Sequence, residues 1–395
     1  MIHRHAARIL PALVVGSALT LTACSGSHSG SSKAASGQDV SADRRLANVT
    51  VTAAHGCTPD KTTFPAGGVT FKIKNKDATA VSEVELLSGE RIVGEKENLP
   101  PGFSGEFAVN VTAGTYTLYC PGGSPERRTV KVTGVAATAG AGDTVAALLR
   151  TATAGYAGYV DTQVASLLTA SERFDTTLHG SNLAAAQKAY IAARPFYEKI
   201  EPVAESFVIG RDSIDADLDA REGDVPAAQW RGFHRIEKAL FQQQSIHGLA
   251  TLGDQLVADV KRLQKLTVGL KYQPTELANG AQELLDEVAA SKITGEEERY
   301  SKIDLLDIDN NVEGSAQAFA QLEPALDQID STLAKTIDSR FAALDTLIDG
   351  YRTTANPSGF KLYNQISAAD KRSLAAAVKA VQEPLSKVAG KVANA

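Results

Sequence analysis

The spacing of apolar residues changes once along this 395-residue chain, and that change limits the fold more than any other feature. From Leu46 to Thr133 the pattern has period two, as in Val49-Thr50-Val51-Thr52, Val69-Thr70-Phe71-Lys72-Ile73, Phe107-Ala108-Val109-Asn110-Val111 and Thr129-Val130-Lys131-Val132. Such alternation suits strands with one buried face. Turn residues at Ala66-Gly67-Gly68, Pro100-Pro101-Gly102 and Ala113-Gly114 separate the runs, so residues 46–134 predict an all-β sandwich. An Ala/Gly/Thr-rich stretch, 135–142, reads as a linker. Beyond Asp143 the period becomes three and four, as in Leu249, Leu252, Leu256, Val260, Leu263 and Leu266, and residues 143–395 predict an all-α bundle of about seven or more helices.

The N-terminus predicts export. Arg4 and Arg8 precede an apolar run from Ile9, and Leu21-Thr22-Ala23-Cys24 ends it with small residues before a cysteine. This resembles a bacterial lipobox: residues 1–23 read as a lipoprotein signal peptide and Cys24 as the lipidated residue, anchored at the outer face of the cell membrane. Residues 24–45, rich in Ser and Gly, read as a flexible tether. A formal net charge of −6 makes nucleic acid a poor partner.

Two clusters carry chemistry. With Cys24 committed to lipid, Cys57 and Cys120 remain, both in the β domain. In an oxidising compartment they pair as a disulfide, or as thiolates they hold a soft metal; both readings are open. Glu83 and Glu85, two apart on one strand face, would support the metal. No His or Met follows Cys120 in Pro121-Gly122-Gly123-Ser124-Pro125, which argues against an electron-transfer copper centre.

In the helical domain, His234 and Glu237 of Gly232-Phe233-His234-Arg235-Ile236-Glu237 are neighbours on one helix face, the reverse of the Glu-x-x-His pair of iron and manganese bundles. Glu198 and Glu201 repeat the spacing beside Phe196 and Tyr197. The acidic loop Asp212-Ser213-Ile214-Asp215-Ala216-Asp217-Leu218-Asp219 and the run Gly295-Glu296-Glu297-Glu298 supply further carboxylates. Taken singly, each acidic run also suits a helix cap or a solvated face.

Three segments resemble the imelysin family: Gly232-Phe233-His234-Arg235-Ile236-Glu237-Lys238-Ala239-Leu240-Phe241, Tyr197-Glu198-Lys199-Ile200-Glu201-Pro202-Val203-Ala204-Glu205-Ser206-Phe207, and Asn311-Val312-Glu313-Gly314. The order of domains resembles the exported iron-binding components of Efe-type ferrous-iron uptake systems, whose first domain is cupredoxin-like. Pro100-Pro101-Gly102-Phe103-Ser104-Gly105-Glu106-Phe107 and Gly114-Thr115-Tyr116-Thr117-Leu118-Tyr119-Cys120 are similar to that domain.

The resemblance implies a cupredoxin-like sandwich followed by an imelysin-type bundle. It implies a metal site on His234, Glu237, Glu198, Glu201, Asp215 and Glu297, and a second on Cys57, Glu83 and Cys120 that would take copper or zinc. It also implies that iron is captured and passed to an iron permease in the membrane, with a haem-dependent peroxidase as a further partner. A zinc peptidase would show H-E-x-x-H, and His234 has no such neighbour, so binding and transport are expected over catalysis. A ferrous oxidase or peptidase-like enzyme at the cell surface is the alternative, and a plain binding module for haem or an anionic polymer a third.

Overall fold

The period-two segments become nine strands in two facing sheets. The computed structural model describes residues 44–135, 143–209 and 212–395. The expected signal peptide 1–23, Cys24, nearly all of the 24–45 tether and most of the linker lie outside the described residues.

The strands are β1 (Leu46–Thr52), β2 (Gly56–Pro59), β3 (Thr63–Pro65), β4 (Gly67–Asn75), β5 (Val84–Ser88), β6 (Arg91–Lys96), β7 (Ser104–Val111), β8 (Gly114–Tyr119) and β9 (Arg127–Thr133). One sheet has the order β2-β1-β4-β7 and the other β3-β9-β8-β5-β6, with β1 parallel to β4 and β3 parallel to β9. Alternate residues Ala47, Val49 and Val51 of β1 face the core, where the Phe71 ring packs 5.6 Å from Phe64 and 5.0 Å from Phe107. Cys57 and Cys120 are joined by a disulfide at a Cα separation of 6.2 Å.

On β5 the parity is reversed in purpose. Val84 and Leu86 enter the sandwich core, so Glu85 lies on the sheet's other face, opposite Glu95 of β6. The loop leading into β5 is pinned by buried Asn75, whose Nδ2 donates to the carbonyls of Ala78, Val81 and Leu99.

The helices are α1 (Asp143–Leu178), α2 (Leu183–Glu198), α3 (Glu201–Glu205), α4 (Ile214–Leu218), α5 (Phe233–Glu237), α6 (Ala250–Thr267), α7 (Pro274–Ala290), α8 (Asp304–Asp349), α9 (Ala368–Leu385) and α10 (Val388–Ala393). Caps set several starts. Asn182 accepts from Ala185 N before α2, Pro274 opens α7, and Ser367 and Asp370 form a capping box before α9. α5 runs on into a π-helical turn, Lys238–Gln242, and α8 is broken at Asp330 (φ −157°, ψ 79°).

The sheet face that carries Glu85 and Glu95 packs against the bundle through polar contacts. Lys96 Nζ lies 2.8 Å from Asp286 Oδ2 and Arg91 Nη1 2.9 Å from Glu276 Oε1. Ile92 N donates to Ser206 O at 2.7 Å, and from the other sheet Ala108 O of β7 accepts from the Asn279 amide. At Gly68 of β4 a Cβ would lie 2.4 Å from Ala393 O, so the strand backbone rests directly on α10.

The disulfide closes a loop of sequence separation 63. Replacing both cysteines, Cys57→Ser with Cys120→Ser, should lower stability by about 2–4 kcal/mol, read from denaturant midpoints. In protein lacking Cys24, a thiol titration of the denatured, unreduced chain should find no free thiol, and two free thiols would overturn the pairing.

Candidate metal centre

One glycine decides where the key histidine sits. Gly232 has φ +83°, and a Cβ there would lie 2.2 Å from the Leu218 carbonyl oxygen. The chain can therefore enter α5 only by pressing bare backbone against the end of α4, and this brings His234 beside Asp219, the residue that ends α4. His234 and Glu237, three apart on α5, are both buried.

The two ring nitrogens face different carboxylates. Nδ1 lies 3.4 Å from Glu237 Oε2, while the other oxygen of Glu237 accepts from Tyr300 N at 2.8 Å and Ser301 N at 2.7 Å. Glu237 thus ties the ring to the loop after α7 and fixes its orientation. On the opposite edge, Nε2 lies 3.2 Å from Glu297 Oε1 and 3.4 Å from Asp219 Oδ1. Adjacent donors around an octahedral ion with bonds of about 2.1 Å stand roughly 3 Å apart, so these three groups are already close to ligating distance. One imidazole with two carboxylates suits iron or manganese, and the chemistry of the donors fits the cation that the resemblance implies.

Two buried cations hold the surrounding acids. Arg194 pairs with Glu198 and Asp219, and lies 3.0 Å from Glu298 Oε1 and 3.1 Å from Asp307 Oδ2. Lys292 Nζ lies 2.8 Å from Glu198 Oε2 and 2.5 Å from Glu201 Oε2. Glu198 and Glu201 do not share one helix as their spacing suggests: α2 ends at the first and α3 begins at the second. Asn311 Nδ2 bridges the break by donating to Glu198 O at 2.9 Å and Glu201 Oε2 at 3.0 Å. At Gly314 a Cβ would lie 2.4 Å from Lys199 O, so α8 meets the break between α2 and α3 with bare backbone.

The charges interlock. Burial disfavours a charged ring, but Asp219 and hydrogen bonds to Glu237 and Glu297 outweigh it and raise His234 well above the usual imidazole range. Burial likewise opposes the charge on Asp219, yet Arg194 and His234 hold it far below the carboxylate range, and Lys292 and His234 hold Glu297 at about 2. Asp219 and Glu297 are thus ionised and the ring protonated, while burial pushes Glu201, Glu298 and Asp307 the other way, and a metal ion must displace the ring's proton to bind.

Asp219 and Glu297 open onto a cavity of about 310 Å³ between the sandwich and the bundle, with His234 buried behind them. Glu83 and Glu97 wall it from the sandwich, and Glu205, Asp215, Asp219, Glu287 and Glu297 from the bundle. Burial and Asp219 push Asp215 up to about 6, and its Oδ1 accepts from the Tyr197 hydroxyl.

The helical set His234, Glu237, Glu198, Glu201, Asp215 and Glu297 therefore converges on one region, in differing roles. The set Cys57, Glu83 and Cys120 does not form a metal site. Disulfide sulfurs are not thiolates, and Glu83 instead gathers with Glu95 and Glu97 at the cavity wall. The sequence reading missed Asp219, Arg194, Lys292, Glu298 and Asp307. Asp219 had a signal, four residues after Asp215 in the same acidic loop; Lys292 had none.

A sandwich joined to a helical bundle with a buried His/carboxylate centre defines a two-domain metal-handling class. The imelysin family model matches residues 152–388 and a cupredoxin-like domain model matches residues 14–128; the chain belongs to the imelysin family. It is 35% identical over 353 residues to proteins named iron uptake system component EfeO, from Escherichia coli O157:H7, Escherichia coli strain K12 and Shigella flexneri. In each case the match covers 88% of this chain and 92% of the relative. Among the described residues, no helix is long and apolar enough to cross a membrane.

The seam between the domains makes stability depend on pH. Burial and the neighbouring Glu83 push Glu85 up to about 8, and burial and Glu97 push Glu283 up to about 8. Carboxyls raised on folding keep protons that the unfolded chain has lost, so their contribution is full below about pH 4.5 and disappears as pH rises through about 8. The Tm of metal-free protein should fall by roughly 5 °C between pH 5.5 and 8.5, and Glu85→Gln with Glu283→Gln should flatten that slope. A Tm that rises with pH over this range would contradict the assignment.

Proposed function

We propose that this protein is an exported lipoprotein that captures iron on the Nε2 face of His234 and delivers it to a ferrous-iron permease of the Efe type. The observation that carries the reading is the approach of Asp219 and Glu297 to within 3.4 Å of His234 Nε2, both carboxylates lining an acid-rich cavity. The name borne by the relatives supports iron as the cargo, and lipidation at Cys24 would keep the protein beside the permease. A haem-dependent peroxidase would be a further partner.

In this reading Asp219, His234 and Glu297 ligate the ion. Glu237 holds the ring in place through Nδ1, and Asp215 and Glu201 line the approach. Arg194 and Lys292 neutralise the surrounding carboxylates, Arg194 pairing also with the ligand Asp219. Because the ring must lose its proton, affinity falls on acidification. A route to release therefore exists without any change of fold.

Transport is favoured over catalysis. The centre has one imidazole and no H-E-x-x-H arrangement, so the general base of a zinc peptidase is missing. A copper-dependent ferrous oxidase would need cysteine thiolates, and Cys57 and Cys120 are bonded to each other.

Isothermal titration of the leaderless chain with ferrous iron under anaerobic conditions tests the site. His234→Ala should weaken binding by about 100-fold or more, and Glu237→Gln, acting only on the ring's orientation, by about 10–100-fold. Unchanged affinity in His234→Ala would remove the assignment.

A further inference from the structure

Lys292 fills the inner half of the acid cluster, and the proposed capture site does not itself require a lysine there. Its side chain is fully buried. Besides Glu198 and Glu201, its ammonium lies 3.7 Å from Glu297 Oε1 and 3.8 Å from Glu287 Oε2. It is surrounded by carboxylate oxygens as a bound cation would be. Two of those acids also gather apart from the lysine: oxygens of Glu201 and Glu287 come within 4.8 Å of each other and of Glu205.

The backbone fixes the position of this charge. Lys292 begins a single 3-10 turn, Lys292–Thr294, directly after α7, and the turn ends at Gly295 in a left-handed conformation, φ +86°. A Cβ at Gly295 would lie 2.6 Å from the Tyr363 ring, so the turn is clamped and the lysine cannot swing out with it.

We propose that Lys292 is a tethered cation occupying a second metal position, formed by Glu198, Glu201 and Glu287, and that it thereby confines ion binding to the Nε2 face of His234. The proposal rests on the capture reading above and makes Lys292 the residue that sets stoichiometry. A second divalent ion would meet the ammonium at close range in a buried site, where the repulsion is poorly screened. One ion held by three ligands can be given up, whereas a pair bridged by the whole carboxylate set would be held far more tightly.

The test counts ions on the leaderless chain at pH 7.5 with Mn2+ as the probe, free Mn2+ being followed by electron paramagnetic resonance. Wild type and Lys292→Arg should bind one ion per chain, Lys292→Met two, and Lys292→Met with Glu287→Gln one again. A Lys292→Met protein that binds one ion with affinity within about twofold of wild type overturns the proposal. If wild type binds none and Lys292→Met binds one, the tethered cation stands and the His234 assignment falls; no binding by either overturns both. Should Lys292→Met fail to fold by circular dichroism, Lys292→Gln, which removes the charge but keeps a donor for the same carboxylates, carries the test: two ions per chain are expected, and one ion at wild-type affinity overturns the proposal.

Discussion

The whole centre depends on negative charge taken out of water. Glu198, Glu201, Glu237, Glu297, Glu298, Asp219 and Asp307 are all buried, and carboxylates without partners in such an interior would protonate or unfold the site. Arg194 and Lys292 prevent this by meeting them in a fixed geometry. A planar guanidinium can address acids from α2, α8 and the loop ahead of α8 at once, which a lysine at the same position could not do. The site is thus poised: Asp219 and Glu297 are held ionised by Arg194, Lys292 and the protonated His234, so an ion that binds at Nε2 must displace the ring's proton.

The architecture was legible because periodicity is local. Alternation in β1, β4, β7 and β9 and the three-four spacing of α6 are each decided within a few residues, and the single change of period near residue 140 marks the domain boundary. The pair His234 and Glu237 was visible for the same reason. What was not legible needed tertiary geometry. That Asp219 and not Asp215 touches the ring follows from Gly232 pressing on Leu218, which no spacing reveals. Arg194 is fully buried, and its partners Asp219, Glu298 and Asp307 lie far from it in sequence. The thiol question was open because Cys57 and Cys120 meet only when the two sheets face each other.

The sandwich takes part in the site without holding the ion expected of it. With its cysteines paired, it contributes a wall of acids, Glu83 and Glu97, to a cavity whose other side is the bundle. Burial and neighbouring acids push Glu97 up to about 7 and Glu287 up to about 8, so the negative charge of the cavity grows as pH rises through neutrality. Polar contacts such as Lys96 with Asp286 and Ile92 with Ser206 hold that wall in register with the ligands behind it. The two domains together therefore make a funnel and a terminus, which suits a carrier better than either domain would alone.

The most direct test of the account is the anomalous diffraction of iron-loaded crystals at the iron edge. The account places the strongest peak within bonding distance of His234 Nε2, Asp219 and Glu297, with Lys292 still on Glu198 and Glu201. A peak in the sandwich, or one held by Glu198 and Glu201 with His234 unligated, would contradict it.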